Sequence, residues 1–379
     1  MKIVLFANTD WYLYNFRISL AKRLRDSGHE VLLISPAGRY CTDFQAMKFD
    51  WRCAPMDRGS LNPWKRAQFV FWLARLLRKE RVDLLHAFTI QAAILGSLSA
   101  RIAGTRCRVN SIAGMGYIFS SQDLRARVLR PFVRLLMRLT IGGKRGRLIV
   151  QNPDDRRVFE NSGMLDVNNI RMIRGSGVDC GRFTPRDKVR SPGPLRVLLA
   201  SRLLVDKGVL DYIDAARLLR ENGRIIDFIL AGDGDPGNPA SIASATIVDW
   251  DRAKIIRYLG HVDDMLPLFG LIDLIVLPSY REGLPRSLIE AAACGLAIIT
   301  TDVPGCREVV TDGVDGLLVP VRDPGALAAA IARIDDDRIL AATLGQAARR
   351  KALSEFDQRI VNDQTIAVYK ELIGANPPR

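Results

Sequence analysis

Two glutamates eight residues apart, Glu282 and Glu290, stand in the segment Pro278-Ser279-Tyr280-Arg281-Glu282-Gly283-Leu284-Pro285-Arg286-Ser287-Leu288-Ile289-Glu290-Ala291. Ahead of them, Leu274 to Leu277 is an apolar run whose length suits a buried parallel strand. Pro285 suits the first position of a helix that runs to Cys294, where Gly295 stops it. A strand, a tight glycine turn and a helix start aim free backbone N–H groups at one point, which favours a phosphate. Carboxylates beside an anion site are suited to gripping neutral hydroxyls. The pattern therefore fits a nucleotide-sugar, with the helix end on the diphosphate and the glutamates on sugar hydroxyls. A surface turn and a helix face of an ordinary Rossmann-like domain would also carry two glutamates at this spacing.

A second charged element lies upstream. Ser201-Arg202-Leu203-Leu204-Val205-Asp206-Lys207-Gly208 follows the apolar run Leu195 to Ala200. Arg202 and Lys207 thus fall at the carboxyl end of a strand, where open parallel sheets bind ligands. Two cations there would neutralise a nucleoside diphosphate and the charge that builds on it as a leaving group. Gly232-Asp233-Gly234-Asp235-Pro236-Gly237 matches GxGxxG after a strand, and Asp249 and Asp251 lie near the spacing of a ribose-binding acid. That supports a rival reading as a dinucleotide-dependent oxidoreductase. Pro236 and Pro239 oppose it, because the fingerprint has to open a helix just there.

Together, 202–208 and Glu-Gly-Leu-Pro-(x)4-Glu-Ala at 282–291 resemble the signatures of glycosyltransferase family 4. These are retaining enzymes of the GT-B fold, an α/β architecture of two Rossmann-like doubly wound parallel-sheet domains facing a cleft. Asp312 to Val319 resembles the family's Asp-Gly-x-Asn-Gly turn, with Asp315 in place of Asn. The resemblance implies that Arg202 and Lys207 bind the donor diphosphate and that Glu282 holds the donor sugar, the three forming the catalytic set. It implies donor contacts from Gly283, Leu284, Pro285, Arg286 and Ser287, from Glu290 on the ribose, and from the loop at Gly232. A UDP-sugar is the expected donor substrate, with no other cofactor; no Asp-x-Asp metal element stands out, so no metal is expected.

Asn15-Phe16-Arg17, His86-Ala87-Phe88-Thr89, Asn110 to Phe119 and Gln151-Asn152 resemble a branch acting on lipid-linked sugars. Its members include N-acetylgalactosaminyltransferases that extend an undecaprenyl-diphosphate-linked saccharide. Asn15, Arg17, His86, Thr89, Gly114 and Tyr117 become candidate acceptor or cleft residues, and a polyprenyl-diphosphate-linked saccharide the expected partner. An N-acetylhexosamine is the sugar this implies. There is one departure: many members carry a Gly-rich turn after the first strand and a His where Ala113-Gly114 stands here. This chain has Asn8-Thr9-Asp10 and no such His, so the group on the donor sugar's face is unassigned. His86 suits either a ligand contact or a satisfied core histidine.

The elements that must position these groups alternate in the β/α manner of doubly wound sheets. Strands are expected at 2–7, 30–35, 82–88, 107–112 and 147–151, with helices between, including about 13–27 and 124–140. The Pro-containing stretch Thr184 to Pro194 reads as a linker. A second series follows, with strands at 195–200, 227–231, 255–259, 271–277, 297–300 and 316–319. The expected domains are 1–185 and 195–359, and in the family the last helix, here about 360–379, packs back on the first domain.

Charge narrows the partners. The 379 residues carry a net charge of +14, but residues 1–190 alone hold 34 Lys+Arg against 15 Asp+Glu, so the remainder is acidic. Such a half faces a polyanion. No helix-turn-helix, zinc or RNA-recognition signature accompanies it, which argues against nucleic acid. Two segments mix arginines with apolar residues instead. In one, Arg127, Arg130, Arg134 and Arg138 share a stripe beside Leu135 and Leu139, with Pro131 implying a kink or restart. The other, Trp64 to Lys79, combines Trp64, Phe69, Phe71 and Trp72 with five basic residues. Both suit interfacial helices on an anionic membrane. No run of 18 apolar residues exists, the six cysteines are scattered, and the first seven residues form a strand-length run rather than a leader. The expectation is a cytoplasmic protein, peripheral on the inner membrane's cytoplasmic face.

Overall fold

A computed structural model of the chain describes residues 1–56, 62–112, 124–185, 193–235 and 237–375, with backbone alone at 124–130 and 132. The chain forms two compact units, 1–177 with 359–379, and 178–358.

The first unit runs β1 (Lys2–Ala7), α1 (Asp10–Asp26), β2 (Glu30–Ser35), α2 (Cys41–Ala46), β3 (Asp50–Cys53), α3 (Pro63–Lys79), β4 (Leu84–Phe88), α4 (Ile90–Ala103), β5 (Cys107–Ile112), α5 (Leu124–Thr140), β6 (Gly146–Val150), α6 (Pro153–Asn161) and β7 (Ile170–Met172). Its seven strands pair in parallel in the order β3-β2-β1-β4-β5-β6-β7. Successive side chains of β1 enter opposite cores, which is why the strand reads as continuously apolar. Leu5 packs with Leu13, Leu24 and Phe44 on one face, and Phe6 with Phe69, Leu73 and Leu95 on the other. Local chemistry sets the helix ends. Thr9 accepts from the Tyr12 N–H and starts α1 three residues before the apolar pattern alone suggests. Asn62 caps α3 ahead of Pro63, and left-handed Gly104 ends α4. Pro131 sits inside α5 without dividing it.

The second unit runs β8 (Leu195–Ala200), α7 (Val209–Glu221), β9 (Ile226–Ala231), α8 (Ser244–Arg252), β10 (Arg257–Tyr258), α9 (Met265–Phe269), β11 (Leu274–Leu277), α10 (Arg286–Ala293), β12 (Ala297–Thr301), α11 (Cys306–Val309), β13 (Leu317–Val319), α12 (Pro324–Asp336) and α13 (Arg338–Lys351). Its six parallel strands lie in the order β10-β9-β8-β11-β12-β13. Both sheets are the doubly wound kind that the alternation implies. The first unit ends at Gly177 rather than at 185, because Val178, Cys180 and Phe183 are buried with Leu288, Ile289 and Phe356 of the second. Most of the linker read at Thr184 to Pro194 (186–192) lies outside the described residues.

The last helix, α14 (Gln358–Gly374), belongs to the first unit. Its Val361, Ile366, Tyr369 and Leu372 enter the core that holds Leu5 and Leu13. A polar chain fastens it there. His86 Nδ1 shares a 2.5 Å hydrogen bond with the Tyr369 hydroxyl, and His86 Nε2 one of 2.7 Å with the Ser111 hydroxyl. Tyr369→Phe should leave a buried imidazole nitrogen without a partner and destabilise the first unit by about 1–3 kcal/mol. Asp363→Asn, on the same helix as Tyr369, loosens only an exposed pair with Arg23 of α1 and should cost less than about 1 kcal/mol. Thermal unfolding of the two variants checks the contrast.

Candidate active site

In the second unit, Lys207 and Glu282 come together from loops that follow different strands. Lys207 closes a short 3-10 turn after β8, and Gly208 then turns left-handed into α7. A β-carbon on Gly208 would lie 1.9 Å from the Pro278 carbonyl oxygen, so the loop after β8 touches the loop after β11 backbone to backbone. The Tyr280 N–H donates to the Asp206 carbonyl at 2.9 Å across the same contact. The loop after β12 closes on the other side. Gly305, at φ +82°, lets its backbone approach the Glu282 carbonyl, where a β-carbon would sit 2.6 Å away. The Thr301 hydroxyl donates to the Ser279 carbonyl.

That packing fixes a small charged cluster. Lys207 Nζ donates to Glu282 Oε1 at 2.6 Å, and the fully buried Ser279 hydroxyl donates to the same oxygen at 2.8 Å. Both side chains of the ion pair are largely withdrawn from solvent, so the ammonium acts in a medium less screening than water. Nothing in the sequence pattern singles out Ser279, although it stands three residues before Glu282 in the same turn. Gly305 and Thr301 give no local signal at all.

Downstream, Gly283 and Leu284 lead into α10. Pro285 is its N-cap, not its first residue; it offers no side-chain cap, and the helix ends at Ala293. The first turn, Arg286 and Ser287 included, therefore lacks a capping oxygen at a dipole end that favours an anion. Glu290 is buried and takes a 2.7 Å hydrogen bond from Arg286 Nε. Burial pushes its carboxyl above the usual range, against the opposing pull of Arg286.

Arg202 is placed differently from Lys207. It pairs with Asp235 at 2.7 Å, with its side chain more than half exposed. This ties Arg202 to the loop at Gly232, which the Leu203 N–H also joins by donating to the Asp233 carbonyl. Pro236 lies outside the described residues. Beyond this loop α8 begins only at Ser244, so GxGxxG does not open a helix as a dinucleotide site requires.

The first unit holds the remaining candidates, of which Thr89 follows the carboxyl end of β4 and Arg17 reaches the Phe88 ring from α1. Arg17 is buried, lies over the Phe88 ring at 4.4 Å, and donates to the Tyr12 hydroxyl at 3.1 Å. Thr89 precedes α4 in the left-handed region at φ +79°, an uncommon position for a β-branched residue. Among the described residues, Arg17 Nε, Thr89 Oγ1 and Asn110 Nδ2 are buried without partners. Asn15 donates to the Trp11 carbonyl within α1. His86 is a satisfied core histidine: its ring is fully buried, both nitrogens are engaged, and burial holds its pKa well below the usual value. It is not available as an acceptor contact. Gly114 and Tyr117 lie outside the described residues, as do the side chains of Arg127 and Arg130; Arg134 and Arg138 are exposed.

Residues 194–337 match the family model "Glycosyl transferases group 1", and residues 18–174 match "Glycosyl transferase 4-like domain". The chain belongs to the group 1 glycosyltransferases. The transferase is 27 % identical, over 98 % of its length and 99 % of that protein, to N,N'-diacetylbacillosaminyl-diphospho-undecaprenol alpha-1,3-N-acetylgalactosaminyltransferase of Campylobacter jejuni. It is 28 % identical, over 71 % of its length and 70 % of that protein, to the UDP-Gal:alpha-D-GlcNAc-diphosphoundecaprenol alpha-1,3-galactosyltransferase of Escherichia coli. Among solved structures it is similar to Anabaena Alr3699/HepE in complex with UDP-glucose, with a TM-score of 0.75, 22 % identity and coverage of 98 % of this chain and all of that one. Its fold is GT-B.

Two outcomes follow for the transferase. Lys207→Ala should lower sugar transfer by about 10²-fold with the protein still folded, the scale of losing one positioned charge; wild-type turnover would remove Lys207 from the reaction. Glu290 tests the electrostatics. A carboxyl whose pKa is raised by folding supports the fold fully while protonated, and that contribution is lost as pH rises through the raised value. Glu290→Gln cannot ionise. Its unfolding midpoint relative to wild type should therefore rise as pH climbs above the ordinary glutamate range, and a pH-independent difference would contradict the burial cost.

Proposed function

We propose that this transferase moves a sugar from a UDP-sugar onto a polyprenyl-diphosphate-linked saccharide, with retention and without a metal. The observation that carries the reading is the Lys207–Glu282 pair, held at 2.6 Å beside the uncapped start of α10. The helix end and Lys207 take the diphosphate, with Arg202 as a second cation from the adjoining loop. Glu282 accepts from hydroxyls of the donor sugar, and Glu290 from the ribose. As the acceptor oxygen bonds to the anomeric carbon, the bond to the β-phosphate oxygen breaks on the same face. The acceptor's proton passes to that phosphate, so no side chain has to act as base. A lysine and a helix dipole answer the charge that builds on UDP, as a metal ion does in other enzymes.

The acceptor and the sugar rest on similarity: the two relatives above are named for undecaprenol-linked acceptors, and the first for an N-acetylhexosamine. Membrane attachment has support in the first unit. α5 exposes Leu135 and Leu139 beside Arg134 and Arg138, and α3 exposes Trp64 and Phe71 beside Lys65, Arg75, Arg78 and Lys79. No helix of the described residues is long and apolar enough to cross a membrane. Peripheral binding at ~1 kcal/mol per basic residue near an anionic surface is adequate, and we place it on the cytoplasmic face of the inner membrane.

Membrane fractions containing the transferase should be offered several radiolabelled UDP-sugars. Label from one of them, with an N-acetylhexosamine expected, should enter butanol-extractable lipid and persist in chelator. Label confined to water-soluble product would replace the lipid acceptor with a soluble one. Loss of transfer in chelator would overturn metal independence.

A further inference from the structure

A pocket of about 340 Å³ opens at the opposite end of the first unit's sheet from Thr89 and Ser111. It is lined by Arg101 from the last turn of α4, Arg108 from the start of β5, and Lys144 and Arg145 from the turn between α5 and β6. Its volume falls at the lower end of small-molecule sites. Four cations share this concavity, and none of them has an ion pair among the described residues.

Their individual surroundings separate structural from unexplained charge. Arg101 supports the fold directly, since its Nε donates to the Thr140 carbonyl at 2.9 Å and its Nη2 to the Gly142 carbonyl at 2.6 Å, tying off the end of α5. Arg108 makes no such contact. It is 5 % exposed, its Nε is buried, and its guanidinium finds no hydrogen-bond acceptor among the described residues. Burial, then the charges of Arg101 and Arg145, push it down to about 10. A buried cation without a counter-charge is among the least favourable arrangements in a protein. Here it faces a cavity rimmed by two further exposed cations, Lys144 and Arg145. A planar guanidinium fork with flanking point charges suits the oxygens of a phosphate.

We infer that this pocket binds a phosphate-type anion, with Arg108 as its buried donor and Lys144 and Arg145 as its rim. It belongs to the first unit, at the amino ends of β5 and β6, whereas Lys207 and Glu282 belong to the second, so it does not rest on the proposed reaction. Two sources share the chemistry: free phosphate, and the phosphate of a lipid headgroup. The second has a route, because α5, whose outer face exposes Leu135, Arg138 and Leu139, ends at the Thr140 carbonyl that Arg101 holds.

The test titrates inorganic phosphate calorimetrically into the full chain, comparing wild type with the double variant Lys144→Gln/Arg145→Gln. Both substituted side chains are exposed, so the fold is retained. Both proteins keep the second unit intact, so any difference belongs to this pocket. Phosphate affinity should fall ~10-fold or more in the double variant, and Arg108→Lys, which keeps the charge but loses the fork, should weaken it independently. Sedimentation with phosphatidic acid and phosphatidylcholine vesicles separates the sources. Loss of phosphatidic acid binding in the double variant, with inorganic phosphate competing against wild type, assigns a lipid headgroup. Unchanged sedimentation with lost phosphate affinity assigns free phosphate. Equal affinity in wild type and both variants, or no phosphate binding by wild type up to about 10 mM, overturns the proposal.

Discussion

The loops that carry Lys207 and Glu282 depend on backbone meeting backbone. At Gly208 the clearance to the Pro278 carbonyl leaves no room for a β-carbon, and at Gly305 the same is true against Glu282 and Gly283. β8, β11 and β12 are neighbours in the sheet, so their carboxyl-end loops emerge side by side. The missing side chains let those loops close into one block. Lys207 is the residue before one contact and Glu282 lies at the other. Their 2.6 Å pairing is thus a property of three strands, and Ser279 on the shared oxygen restricts it further. Groups held this way need little reorganisation when charge develops beside them.

The first unit handles its polar groups by another logic. His86, in the middle of β4, is committed to structure, linking β5 to the C-terminal helix through Ser111 and Tyr369. Arg17 is kept in the interior by stacking on Phe88 rather than by a carboxylate. Thr89 accepts an unfavourable φ where α4 begins, and backbone strain of this kind persists where the surroundings over-determine it. Buried polar atoms without partners on Arg17, Thr89 and Asn110 cluster near the carboxyl ends of β4 and β5. Those ends are where an open sheet of this class presents its ligand contacts.

Charge is distributed in the same divided manner. The second unit balances its sites locally: Lys207 with Glu282, Arg286 with Glu290, Arg202 with Asp235. Exposed cations of the first unit sit on α3 (Lys65, Arg75, Arg78, Lys79) and α5 (Arg134, Arg138), and further cations gather around Arg108. A basic half of this kind gains from a polyanionic surface and an acidic half does not. Side chains with both arginine and leucine on one exposed helical face favour an interface over a bulk polyelectrolyte.

Much of this is written locally in the chain. β5, β8 and α5 begin and end where the apolar runs and their breakers place them, because a buried parallel strand or a packed helix needs an uninterrupted apolar pattern. The segments 202–208 and 278–291 are legible because strand, glycine turn and helix start are consecutive in sequence, an arrangement that favours an anion. The short α2, β3 and β7 are not legible, since a few residues carry too little periodicity and their neighbours across the sheet decide them. Tertiary structure also chose among options that composition left open. It gave Arg202 to Asp235 and Lys207 to Glu282, made Pro285 a cap, and committed His86 to the core. The two ion pairs and the commitment of His86 turn on contacts between residues far apart in the chain. A sequence specifies which groups can pair or be buried, but only the packed sheets bring one partner rather than another within 3 Å.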